Sequence, residues 1–109
     1  MRHYGHFIGG QEVQPADGAY FGTDNPYSGE TWAMIARGRA IDVDAAVASA
    51  KAAGEGAWSV LTASARGKLL RRFADLIIDN AERLAKIEMT DNGKLAAEVI
   101  AQVKYMGEY

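Results

Sequence analysis

The side chains that could do chemistry in this chain are few, and the most reactive type is missing. None of the 109 residues is cysteine, which removes disulfides, zinc-thiolate sites and thiol nucleophiles from its repertoire. The two histidines, His3 and His6, stand in an amino terminus expected to be mobile, without the regular spacing of metal ligands. A complete enzyme built on them and on scattered carboxylates is therefore a poor reading. The densest polar string is Glu88-Met89-Thr90-Asp91-Asn92-Gly93-Lys94, where a helix should end, reverse at Gly93 and restart beside a lysine. Glu88 falls four residues after Leu84 and seven after Ala81, which puts its carboxylate on the apolar face of that helix. Such a carboxylate needs a partner, and a structural hydrogen bond rather than catalysis is its expected role. Lys94, alone after a turn, reads as a solvated residue at a helix start and not as a phosphate ligand.

Other function classes are excluded by composition. Twelve basic residues stand against 14 acidic ones, for a net charge of -2, so no electrostatic excess points to nucleic acid or to an anionic membrane. No apolar run approaches the ~20 residues that span a bilayer, and no signal-peptide stretch follows Met1. A cytoplasmic location is the expectation. Gly9-Gly10 and Gly54-Glu55-Gly56 lack the strand, Gly-x-Gly-x-x-Gly and helix context of a dinucleotide cradle, and read as turns.

The elements that must carry these residues change character along the chain. Residues 1–40 hold most of the turn chemistry, at Gly9-Gly10, Asp17-Gly18, Asn25-Pro26 and Ser28-Gly29, between short runs that read as antiparallel strands or hairpins. Thr31-Trp32-Ala33-Met34-Ile35-Ala36 is a candidate strand. Asn25-Pro26-Tyr27-Ser28-Gly29-Glu30 reads as a tight connection between two extended pieces, with asparagine bonding its own backbone and proline fixing φ. From Asp42 the period becomes helical: Val43, Ala46, Val47 and Ala50 line one face. Asp42 is placed as the N-cap, and Gly54 with Gly56 ends the helix. Thr62 caps a second helix whose stripe runs Leu69, Leu70, Phe73, Ala74, Ile77, Ala81 and Leu84, with Asp79-Asn80 as a point where it can break. Asp91-Asn92-Gly93 is a turn signal, and Ala96, Val99, Val103 and Met106 mark a third stripe. That stripe is still running at Tyr109 with no glycine, proline or basic cluster to close it, so the chain reads as interrupted.

In this order and spacing, the strings resemble the aldehyde dehydrogenase superfamily. Its members open with a short strand pair and an Asn-Pro-x-x-Gly-Glu turn, here Asn25 to Glu30, followed by an Asp-Val-Asp helix start, here Asp42-Val43-Asp44. A tryptophan follows, here Trp58, and then an Arg-x-x-Leu-Leu-Arg-x-x-Ala-Asp-Leu-Ile helix, matched at every named position by Arg66 through Ile77. The Glu-x-x-Asp-x-Gly-Lys turn closes the set as Glu88 to Lys94. The likeness runs from about Phe7 to Tyr109. Two positions depart from it: Leu95 stands where the family usually has proline, and Asp24 where an apolar residue is common.

The resemblance implies an α/β aldehyde dehydrogenase-like parent fold, seen here as short antiparallel strands or hairpins followed by three amphipathic helices. Residues 1–109 would be the amino-terminal part of the cofactor-binding domain, with strands and turns over 1–40 and a helical layer over 41–109, and the catalytic and oligomerisation parts absent. The implied activity is NAD- or NADP-dependent oxidation of an aldehyde substrate to a carboxylic acid through a cysteine thiohemiacetal, in a homo-dimer or homo-tetramer. No catalytic or cofactor-binding residue is assigned within these 109 residues, and the chain alone is expected to be inactive. One site does map here. Several family members hold a monovalent cation, Na+ or K+, with two backbone carbonyls before the Asn-Pro pair and the aspartate of the Asp-x-Gly-Lys turn. The corresponding residues are Thr23, Asp24 and Asp91, an oxygen donor set that suits a hard cation. The competing role for Asp91 is to stabilise its own turn. The helix stripes taken alone would also allow a free-standing helical protein-interaction module, which should expose little apolar surface, whereas a segment of a larger fold should leave stripes unburied.

Overall fold

The computed structural model describes all of Met1–Tyr109, as five strands followed by four helices. The strands are β1 (Arg2–Tyr4), β2 (His6–Ile8), β3 (Gln11–Val13), β4 (Tyr20–Asp24) and β5 (Thr31–Ala36); the helices are α1 (Ala40–Glu55), α2 (Ala63–Asp79), α3 (Ala81–Asn92) and α4 (Ala96–Glu108). Two units divide the chain: Met1–Asp24 with Thr31–Val60, and Asn25–Glu30 with Leu61–Tyr109.

In the first unit, β2 and β3 form an antiparallel hairpin with His6 opposite Val13 and Ile8 opposite Gln11. Gly9 and Gly10 have φ of 61° and 78°, and two consecutive left-handed residues make the hairpin turn whose twist matches that of its strands. β4 runs antiparallel to β5, as the Asn-Pro string leads one to expect, while β1 lies parallel to β5 on its other side, in the order β1-β5-β4. That parallel pairing departs from the hairpin expectation. Gly5 alone separates β1 from β2, too short a link for a hairpin between them, and β1 takes the open side of β5, where the Tyr4 and Trp32 rings meet edge to face with centroids 6.1 Å apart. Ala33 and Ala36 of β5 are buried.

Helix α1 starts earlier than its sequence suggests. Arg39 is the N-cap, and Asp42 lies three residues into the helix. Its Oδ2 accepts the Arg39 backbone N–H at 2.9 Å, and its Oδ1 accepts the Ala16 N–H at 2.9 Å. Asp42 is therefore buried as a tether between the helix start and the loop before β4, rather than standing in front of the helix. This polar anchor also sets the phase of α1. The shielded side carries Asp42, Ala46 and Ser49, one helical face, and Val43 and Val47 of the expected core stripe are 56% and 61% exposed.

In the second unit, the long helix of the sequence reading is two helices, which raises the count from three to four. Thr62 accepts the Ala65 N–H at 3.1 Å and starts α2. The chain breaks at Asn80, whose side-chain Nδ2 donates to the Leu76 carbonyl at 2.9 Å, competing with the backbone for a helical acceptor. The core consists of Ala81, Ala85, Val99 and Val103, flanked by Ile77, Leu84, Met89 and Ile100. These small side chains let α4 pack closely against α3, and α4 also lies against α2. The stripe is only partly used, because Ile77, Ala81 and Leu84 pack on this core while Leu69, Leu70 and Phe73 remain exposed. No helix is long and apolar enough to cross a membrane.

Candidate functional site

Two turns carry most of the specific polar chemistry, and both belong to the second unit. In the first, the Asn25 side-chain Oδ1 accepts the Tyr27 N–H at 2.9 Å, and its backbone carbonyl accepts the Gly29 N–H at 2.7 Å. The Asn25 N–H donates to the Glu30 carbonyl at 2.9 Å. Proline has no N–H to satisfy, and the Glu30 N–H donates to Ser28 Oγ at 3.3 Å.

The second turn ends α3. Gly93 takes φ 74° and donates its N–H to the Met89 carbonyl at 2.9 Å, a left-handed helix end. Asn92 bridges it: its Oδ1 accepts the Lys94 N–H at 3.0 Å and its Nδ2 donates to Glu88 Oε1 at 3.2 Å. Lys94 Nζ donates to the same Oε1 at 2.8 Å. The Lys94 ammonium, helped by the Asn92 amide, holds the Glu88 carboxyl below its usual range, against the opposing effect of desolvation. Glu88 thus has the partner its position demands in Lys94, which itself remains exposed to solvent. The two turns also touch. A Cβ added to Gly93 would come within 2.9 Å of Pro26 Cγ, so glycine is required there by space as well as by φ.

Thr23 and Asp24 lie at the end of β4 in the first unit, Thr23 opposite Ala33 and Asp24 opposite Thr31, with a register shift between them. The Asp24 carboxylate is engaged within the sheet, where Oδ1 accepts the Thr31 hydroxyl at 2.6 Å. Asp91 is in the last turn of α3, in the second unit. No cluster of three or more His, Asp or Glu side chains stands ready for a metal ion.

His6, expected in a mobile amino terminus, is instead held in β2 with Nε2 buried and 3.8 Å from Asp42 Oδ2. The pairing escapes sequence reading because its partner is 36 positions away, across a strand-to-helix junction. That junction, Ala36 to Ala40, is the only one leading from a strand into a helix. Its amide at Arg39 is bonded to the Asp42 carboxylate, which places a negative charge at the start of α1.

The sequence model of the aldehyde dehydrogenase family matches residues 13–109, and the chain belongs to that family. It is 42% identical over 110 residues to (Z)-2-((N-methylformamido)methylene)-5-hydroxybutyrolactone dehydrogenase of Acinetobacter baylyi, covering 100% of this chain and 22% of that protein. It is 47% identical over 90 residues to aldehyde dehydrogenase family 2 member C4 of Arabidopsis thaliana, covering 82% of this chain and 18% of that one. Among solved structures, the NAD-dependent aldehyde dehydrogenase from Sinorhizobium meliloti superposes with a TM-score of 0.92 at 29% identity, over 97% of this chain and 22% of its own. A betaine aldehyde dehydrogenase variant from Staphylococcus aureus, in complex with NAD+, gives 0.84 at 31% identity, over 96% and 23%. The chain spans about a fifth of the length of the curated relatives it matches.

Proposed function

We propose that this chain is the amino-terminal segment of an NAD(P)-dependent aldehyde dehydrogenase and serves as scaffold for its cofactor-binding domain, with strands and turns over 1–40 and a helical layer over 41–109. The observation that carries the reading is the family match over residues 13–109 in a chain about a fifth as long as its relatives. The exposed faces of α1 and α2 agree with it, because a free-standing helical module would not leave Val43, Val47, Leu69 and Phe73 in water.

The proposed reaction of the parent protein is oxidation of an aldehyde to a carboxylic acid through a cysteine thiohemiacetal, with NAD or NADP as oxidant. This chain has no cysteine, so the nucleophile of those steps would come from another part of the parent protein. Its own residues set shape: Asp42 anchors α1, Thr62 starts α2, and the Glu88–Asn92–Lys94 network turns α3 into α4. The parent is proposed to be a cytoplasmic homo-dimer or homo-tetramer. We further propose a Na+ or K+ site with the carbonyls of Thr23 and Asp24 and the carboxylate of Asp91 as donors. A hard cation favours such oxygens, and the register shift at Thr23 and Asp24 interrupts strict ladder pairing there.

The test is to incubate the purified chain with a panel of aldehydes and NAD+ or NADP+, in parallel with the longer protein that contains it. Reduced cofactor should form only with the longer protein; formation by the 109-residue chain, free of contaminating enzyme, overturns the scaffold role. For the cation, K+ or Na+ should raise the thermal midpoint of the longer protein and lose that effect in Asp91→Ala. An equal rise in the variant would remove Asp91 from the site.

A further inference from the structure

Asn92-Gly93 is the only Asn-Gly pair in the chain. In such a pair the glycine amide nitrogen can approach the asparagine side-chain carbonyl carbon, since no Cβ obstructs it. The new N–Cγ bond forms, the Cγ–Nδ2 bond breaks, and ammonia leaves, carrying off the glycine amide proton. The remaining succinimide is opened by water at either carbonyl, giving aspartate or isoaspartate. Water is the only co-reactant, and nothing is oxidised or reduced.

In the folded chain every participant is held away from this path. The nucleophilic Gly93 nitrogen has its proton committed to the Met89 carbonyl at 2.9 Å. The electrophilic amide cannot rotate freely, because Oδ1 is bonded to the Lys94 N–H at 3.0 Å and Nδ2 to Glu88 Oε1 at 3.2 Å. Lys94 Nζ, 2.8 Å from the same Oε1, closes the ring of contacts. We propose that Asn92 is a site of spontaneous deamidation gated by the Glu88–Lys94 ion pair, which acts as the latch of the α3–α4 turn. The latch is a weak one. Its side chains are 46% and 36% exposed, and exposed ion pairs at helix ends open readily by local fraying.

The modification also prevents the latch from closing again. Deamidation replaces the Nδ2 donor that faces Glu88 with a second carboxylate, so a hydrogen bond becomes a repulsion and Lys94 must serve both charges. The isoaspartyl product inserts an additional backbone methylene just before the left-handed Gly93. The α3–α4 turn is thus a one-way ageing point, and this conclusion does not depend on the enzymatic reading.

The test is to age the purified chain in mildly alkaline buffer, native and in concentrated urea, and to follow the one-dalton mass gain and isoaspartate at residue 92 by peptide mass spectrometry. Conversion should be at least ~10-fold faster in urea than in the native chain. Lys94→Met and Glu88→Ala should each raise the native rate at least ~3-fold with helix content unchanged, and Glu88→Gln, which keeps an acceptor, should fall between them and the parent. Absence of conversion in urea removes the site. Equal native and urea rates remove the gate, and that comparison needs no variant if one fails to fold. A folded Lys94→Met chain ageing at the parental rate removes the latch.

Discussion

The crossing of α2 and α4 depends on one missing methyl group. A Cβ added to Gly107 would overlap Ile78 Cγ1, lie 2.9 Å from Ile78 Cδ1 and sit 3.0 Å from the Ala74 carbonyl oxygen. The Ile78 terminal methyl can rotate away, but Cγ1 is next to the branched Cβ and the Ala74 oxygen is fixed in the backbone of α2. The helices must therefore separate, and overpacking of this kind costs about 1–3 kcal/mol. Against it stands the better helix propensity of alanine, which returns up to about 1 kcal/mol. Gly107→Ala should thus destabilise the chain by roughly 1–2 kcal/mol net. Gly67, in α2, has nothing within 4 Å of its would-be Cβ, so Gly67→Ala should stabilise by about 0.5–1 kcal/mol. The same chemical change then has opposite signs at two positions of one helix pair. Urea unfolding followed by helical circular dichroism reads both midpoints, with unchanged slope as the check on two-state behaviour. A Gly107→Ala midpoint that rises in step with Gly67→Ala would refute the steric argument, because propensity alone would then account for both.

Three further outcomes follow from named contacts. The Arg39 amide, and after it the Ala16 amide, hold the Asp42 carboxyl below its usual range; a depressed folded pKa gives stability that is full above the unfolded value of ~3.9 and is lost as pH falls through the folded one. Asp42→Asn should accordingly lower the neutral-pH melting temperature and flatten its decline below pH ~4, whereas parallel acid limbs in the two proteins would count against the anchor. Thr62→Ala removes the acceptor for the Ala65 N–H and should cost about 1 kcal/mol in urea unfolding; a change under ~0.3 kcal/mol would show that the cap contributes little. Val99→Ala, at a fully buried position, should cost about 2 kcal/mol, while Val60→Ala, at 82% exposure, should stay within ~0.5 kcal/mol, and equal effects would contradict the core described here.

Features with a local cause are legible in the residues themselves. The Asn25–Glu30 turn, the Thr62 cap, the reversal at Gly93 and the Val99–Val103 stripe each rest on interactions within a few positions. Even the break at Asn80 is local, since its amide competes for a carbonyl four residues back. The family likeness was legible for the same reason, because its blocks are short strings.

Several features were settled by tertiary structure instead. An alanine-rich helix such as α1 has apolar atoms nearly all round, so periodicity could not choose which face is shielded; the Asp42 bonds to Ala16 and Arg39 chose it. β1 could reach β5 only when folding brought together strands some 30 positions apart, and His6 likewise met Asp42. Lys94 became the partner of Glu88 only because Gly93 turns the chain back. Turns and caps are written in sequence because their hydrogen bonds and φ limits act over neighbouring residues. Face selection and strand partnership are not, because they depend on which polar atoms must be satisfied and which surfaces meet once distant segments pack.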